Sequence, residues 1–240
     1  MAKLPALVKA FATFDERGVA TVEQFARVIR EAGYLPTTKR GAGAADMGFK
    51  EAATLLIALS TSDTPKDAVQ AVRNYECLER HDLVHPRPDM EAFRIRHRQK
   101  WPEPAQYVAE SSNLISAIGR FLEALPRFGR DRVKRLHSNP DVEIPAAEVA
   151  DDEREYFYTD HPVAQIVFFR PSRFVVFSSW EHRENFRRPG SEKDWRLAYT
   201  APKSYRGYLE RSEGFEVKRE VHVTVTSNHL RAIHEAISST

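Results

Sequence analysis

Val163-Ala164-Gln165-Ile166-Val167-Phe168-Phe169-Arg170-Pro171-Ser172-Arg173-Phe174-Val175-Val176-Phe177-Ser178-Ser179-Trp180 is the stretch whose reading decides the fold. Two β-branched and aromatic runs, Val163 to Phe169 and Arg173 to Trp180, flank Arg170-Pro171-Ser172. Such runs fit a pleated, half-buried surface, and the break between them predicts a β-hairpin. Outward from it, Trp195 to Tyr199 predicts a short strand. Phe215, Val217, Val221, Val223 and Val225 largely alternate with polar neighbours, which predicts a half-buried strand. Ser227 then precedes Leu230, Ile233 and Ile237 at helical spacing. The last third of the chain therefore reads as an antiparallel sheet with a closing helix.

The N-terminal third has a different period. Leu4, Leu7, Val8, Phe11 and Phe14 predict a helix over 4–15, ended by Gly18. Thr21 is the expected cap of a second helix with Val22, Phe25, Ala26, Ile29 and Ala32 on one stripe, stopped at Gly33. Residues 36–47 read as a loop. A third helix is expected at about 48–60, and a fourth from Thr64-Pro65 to about Leu78. Between the two thirds, Phe93 and Ile95 alternate with Arg94, Arg96 and Arg98 as in a strand. Ser111 or Ser112 is expected to cap a helix carrying Leu114, Ile118, Phe121 and Leu125 and ended by Pro126. The fold class expected is α+β: a small N-terminal helical, helix-turn-helix-like domain, then an α+β part with an antiparallel sheet. The expected divisions are 1–80, 81–140 as a basic connecting region, and 141–240.

Composition narrows the function classes. The chain has 240 residues, 42% hydrophobic residues, 29% charged residues and a formal net charge of +2. That is enough apolar content for a packed core, and too little net charge to require nucleic acid as a partner. One cysteine, Cys77, excludes an intrachain disulfide and points to a reducing, cytoplasmic setting. No run has the length of a membrane span, so no membrane partner is expected. There is no phosphate-binding loop, dinucleotide glycine pattern or nucleophile elbow. No cofactor and no catalytic role are therefore expected. His81 and His85, and His222, His229 and His234, lack accompanying ligands at metal-binding spacing and read as surface or junction residues. One enzymatic alternative stands: Asp141 with Glu216-Val217-Lys218 carries the letters of a metal-dependent nuclease.

Local charge points elsewhere. Helices two and three flank a loop containing Thr38, Lys39 and Arg40 beside Gly41 and Gly43. Glycine-rich backbone and two cations suit a phosphate backbone. Arg27 and Arg30 lie three apart on helix two. Lys50 and Thr54 occupy the first turns of helix three, where base-reading residues sit in a helix-turn-helix protein. In the basic middle, Arg94, Arg96 and Arg98 would share one strand face and extend the footprint. Two plainer explanations stay open: a helical bundle with a polar loop, and pairing of the basic middle with the acidic segment 141–155.

The stretch Phe25 to Leu59, with Arg30-Glu31-Ala32-Gly33-Tyr34-Leu35-Pro36, Lys39-Arg40-Gly41 and Ala52-Ala53-Thr54-Leu55-Leu56-Ile57-Ala58-Leu59, resembles the N-terminal segment of proteins carried by alphaproteobacterial phages and gene-transfer-agent-like elements. The resemblance implies a helix-turn-helix, DNA-binding transcription regulator from a mobile element and brings no catalytic residues. The expected partners are double-stranded DNA, a second copy of the chain in a homodimer, and a protein partner at the C-terminal part. The competing expectation is a protein-interaction or structural component of a phage-like system.

Overall fold

The computed structural model describes residues 2–37, 45–81, 101–137, 164–170, 173–179, 195–200 and 221–238. Strand β1 (Ala2–Lys3) leads into α1 (Leu4–Phe11). Then come α2 (Val19–Glu31), β2 (Asp46–Met47), α3 (Phe49–Thr61), a 3-10 turn at Pro65–Asp67, and α4 (Ala68–Glu76). Strand β3 (Glu79–His81) precedes α5 (Glu103–Ala109) and α6 (Leu114–His137). Strands β4 (Ala164–Arg170), β5 (Phe174–Ser179), β6 (Arg196–Thr200) and β7 (Val221–Thr226) follow, and α7 (Ser227–Ser238) ends the described chain. The protein is α+β, with helices in the N-terminal part and a five-stranded antiparallel sheet built mostly from the C-terminal part.

The hairpin forms where its sequence predicts it. Ile166 pairs with Phe177 and Phe168 with Val175. Ile166, Phe168, Val175 and Phe177 are fully buried, because alternation puts them on the face that meets the helices. Arg173, at φ 52°, stands at the start of β5 in the left-handed region. The sheet order is β3-β6-β5-β4-β7. Its first strand comes from before the hairpin by a long way: Glu79, Arg80 and His81 pair with Thr200, Tyr199 and Ala198. The hydrophobic core is continuous from Ala2 to Ile237 and crosses both expected divisions, at 80 and at 140. Phe121 of α6 meets Phe177 edge-on at 5.5 Å, and the Tyr75 hydroxyl of α4 donates to the Phe169 carbonyl at 2.8 Å. Burial pushes that phenol up to about 12.

Several boundaries differ from expectation, each for a local reason. Helix α2 starts at Val19, ahead of Thr21; Gly18 at φ +80° provides the entry and makes no side-chain cap. Gly33 at φ +83° ends it as expected, with the Tyr34 amide donating to the Ile29 carbonyl. Helix α6 is capped by Asn113, whose Oδ1 accepts the Ser116 amide at 2.9 Å, and not by Ser111 or Ser112. It also runs through Pro126. A proline inside a helix costs about 3 kcal/mol. Leu125 and Phe128 are both buried beside it, each contributing about 2 kcal/mol. Phe128 also stacks on Trp195 at 5.3 Å. Burial on both sides of the proline thus offsets the missing hydrogen bond. The strand expected at 90–100 lies outside the described residues.

Helix α7 closes the unit by packing on α1, α3, α6 and β1. His234 stacks on Phe49 at 5.8 Å and His229 on Phe14 at 5.6 Å, so the expected junction histidines join the last helix to the first ones. Burial lowers both imidazole pKa values below 6.5; Glu235 opposes this at His234. The unfolded chain therefore takes up these protons before the folded one. Their stabilising share is complete above pH 6.5 and is lost as pH falls through the lowered folded values. Tm is expected to drop from pH 7 to about pH 5, and to drop less in His234→Phe. An unchanged pH slope in that variant rejects the assignment. Half-buried His234 carries more of the effect than the more exposed His229.

Candidate nucleic-acid interface

Helix α3 decides how the N-terminal unit can meet a ligand. It is the central helix of the bundle, packed on α2, α4 and α6. Every residue from Ala52 to Thr61 is buried. A helix apolar all round sits inside a protein, whereas a recognition helix must keep one face free to enter the major groove. Thr54 is 3% exposed, and its hydroxyl donates to the Lys50 carbonyl at 3.1 Å. Thr54, expected to read bases, is therefore packed in the interior, and the Ala52–Thr61 part of α3 leaves no exposed face for a groove. The run of small and apolar residues from Ala52 to Ala58 was the available signal.

The other described candidates sit on the surface. Arg27 is exposed and bonded to Glu31 at 2.7 Å, one turn on. That hydrogen bond and charge raise its pKa further. Arg30, half-buried in the last turn of α2, and Lys50, exposed in the first turn of α3, have no ion-pair partner among the described residues. Among the other described cations, Lys3 pairs with Asp46, Arg17 with Asp15, Arg120 with Glu110, Arg127 with Glu103, Arg170 with Asp63 and Arg231 with Glu235, whereas Lys9, Lys66, Arg73, Arg80 and Arg173 have no carboxylate partner among the described residues. Arg30 and Lys50 bracket segment 38–44 in the chain. In sequence it follows α2 and precedes β2, which pairs with β1. Thr38, Lys39, Arg40, Arg94, Arg96 and Arg98 lie outside the described residues. So do Asp141, Glu216 and Lys218 of the nuclease alternative, and the acidic segment 141–155.

An open groove of about 430 Å³ lies beside Lys50, between the start of α3 and the α5–α6 pair. Gly119 faces the Phe49 backbone across it; a Cβ there would lie 3.6 Å away, in ordinary contact. On α5, Tyr107 lies under two guanidinium groups, Arg120 at 4.8 Å and Arg127 at 4.2 Å from its ring centre. Its hydroxyl donates to Glu123 at 2.7 Å, a bond that, with burial, raises the phenol pKa. Among the described residues no group of three or more His, Cys, Asp or Glu side chains could hold a metal ion. No helix among them is long and apolar enough to cross a membrane. No protein-family model, curated protein or solved structure matches the chain.

Proposed function

We propose that the protein binds double-stranded DNA, contacting phosphates through the basic segment that holds Lys39 and Arg40, with Arg30 and Lys50 at its two ends. The observation that supports this reading is the placement of Arg30 and Lys50, which flank the glycine-containing segment in sequence and have no carboxylate partner among the described residues. Unmatched cations beside a glycine-containing segment favour a polyanion, and neutralising phosphates releases counterions. Buried α3 directs the reading toward backbone contact and away from insertion of a helix into the major groove. The resemblance of Phe25–Leu59 to proteins of phages and gene-transfer-agent-like elements fits a regulator from a mobile element. A homodimer spanning paired half-sites belongs to the same reading.

The test is binding to a random-sequence duplex across a salt titration. Wild-type affinity is expected to fall steeply with salt, and the log–log slope to shrink by about 0.9 for each phosphate contact removed. Charge reversal at Lys39, Arg40 and Lys50 together is expected to abolish binding. No binding at low salt, or binding indifferent to that triple reversal, overturns the reading.

A further inference from the structure

We infer that helix α7 positions the start of α3 through the ring of His234, and that this fixes where Lys50 stands for a polyanion. The consequence for DNA rests on the reading above; the coupling of α7 to α3 does not.

Lys50 has a long, flexible stem, so its use to a phosphate depends on how firmly its backbone is placed. Three contacts place that backbone. Asp46 and Met47 pair with Lys3 and Ala2 of β1, and the Lys3 ammonium meets the Asp46 carboxylate at 2.9 Å. Glu51 accepts the Gly48 amide at 2.9 Å, and the Ala52 amide donates to the Gly48 carbonyl at 3.1 Å, which sets the first turn of α3. The backbone of Phe49 lies against Gly119 of α6. None of these contacts involves the Phe49 ring.

His234 supplies that restraint from the other side. Its imidazole stacks on the Phe49 ring at 5.8 Å with the planes 23° apart, and its Nε2 lies 3.3 Å from the Ser238 hydroxyl, one turn on. Offset ring pairs at such separations attract beyond their burial. Helix α7 is itself well anchored. Leu230, Ile233 and Ile237 are buried on one stripe, and Ser227 follows directly on β7, which pairs with β4 over six residues. The same helix packs on β1, the partner of β2. So α7 meets the strand pair before Gly48 and the ring after it. Residues 46–50 are tied to the sheet through one helix, and they follow segment 38–44 closely in the chain. A cation on a fixed platform loses less freedom on binding than one on a loose turn.

Native-state hydrogen exchange on the 15N-labelled full-length chain measures the coupling. At pH 7.5 the His234 imidazole is neutral, since burial holds its pKa below 6.5. In His234→Ala the Gly48 and Ala52 amides are expected to exchange about tenfold faster relative to the amides of β5, which report global opening. His234→Phe keeps a ring against Phe49 and should restore them. If Gly48 and Ala52 change no more than β5 in His234→Ala, or stay fast in His234→Phe, the inference is overturned. Duplex binding reads the consequence. His234→Ala is expected to weaken affinity for a random-sequence duplex about fivefold at every salt concentration. The log–log slope stays as in wild type, because no phosphate contact is lost, whereas Lys50→Gln reduces it by about 0.9. A histidine with a structural role alone would lower stability and leave the affinity of the folded protein unchanged, which also overturns the inference. A reduced slope in His234→Ala makes His234 itself a phosphate contact and rejects its positioning role. Failure of the wild type to bind duplex, with the exchange effect present, overturns only the DNA reading.

Discussion

Phe177→Ala is expected to destabilise the protein by about 3–5 kcal/mol, the range for deleting a buried aromatic ring. Phe177 is fully buried in β5 and pairs with Ile166 and Leu197 across its two neighbouring strands. Its ring meets Phe121 of α6 at 5.5 Å and Tyr199 of β6 at 5.7 Å, both edge-on. Edge-to-face pairs add about 0.5–1.5 kcal/mol beyond area burial. The void would open where the helices meet the sheet, and neither side can collapse alone because both are held by hydrogen bonds from Tyr75 and Tyr199. Urea denaturation followed by circular dichroism measures the loss. Phe177→Leu keeps most of the volume and should cost clearly less. Equal, small losses in both variants would show that the helix–sheet junction is not cooperative.

Arg17→Ala is expected to cost about 3 kcal/mol. This arginine does several jobs at once. Its guanidinium donates to the Leu59 and Ser62 carbonyls at 2.8 and 2.9 Å, satisfying the last turn of α3, which has no following glycine cap. It also bonds both oxygens of Asp15, at 2.9 and 2.6 Å, and lies over the Phe25 ring at 4.6 Å. The Asp15 side chain is only 9% exposed, so truncating Arg17 leaves a nearly buried carboxylate without its cation. Burial alone would raise the Asp15 pKa above 3.8. The hydrogen bonds and charge of Arg17 outweigh it and hold the pKa lower. The sign follows from that depression: Asp15 stabilises the fold at pH above 3.8, and the contribution vanishes as pH falls through the lowered value. Acid denaturation of the wild type should therefore show a step in that range. Arg17→Ala should remove the step or move it upward, because burial is then opposed only by the backbone amide of residue 17. A variant as stable as wild type at pH 7 rejects the account.

The sheet's centre was legible because β4 and β5 are runs of β-branched and aromatic residues around a break, a property of neighbouring residues. Strand β3 was not legible. Glu79-Arg80-His81 has no apolar member, and it is a strand only because β6 offers it a hydrogen-bonding edge more than a hundred residues later. Pro126 misled for the same reason: the proline is local, and the burial that carries α6 past it comes from Phe121, Phe177 and Trp195. At the candidate site, spacing identified the basic residues around segment 38–44 but not their depth. Period-3.6 reasoning placed Thr54 on a helix without asking whether both faces of that helix were apolar. The start of α3 and the α5–α6 pair, which shape the groove beside Lys50, meet only in three dimensions.

The pairing of β3 with β6 has a consequence for synthesis. A ribosome releases α1 to α4 and β3 long before it makes the strand that β3 needs and the helix α7 that covers α1. Through that interval the nascent N-terminal helices present an uncovered apolar face and a bare strand edge. Contacts this distant in the chain form slowly. Stalling translation before β6 should leave a chaperone-dependent, protease-sensitive intermediate, while stalling beyond α7 should not.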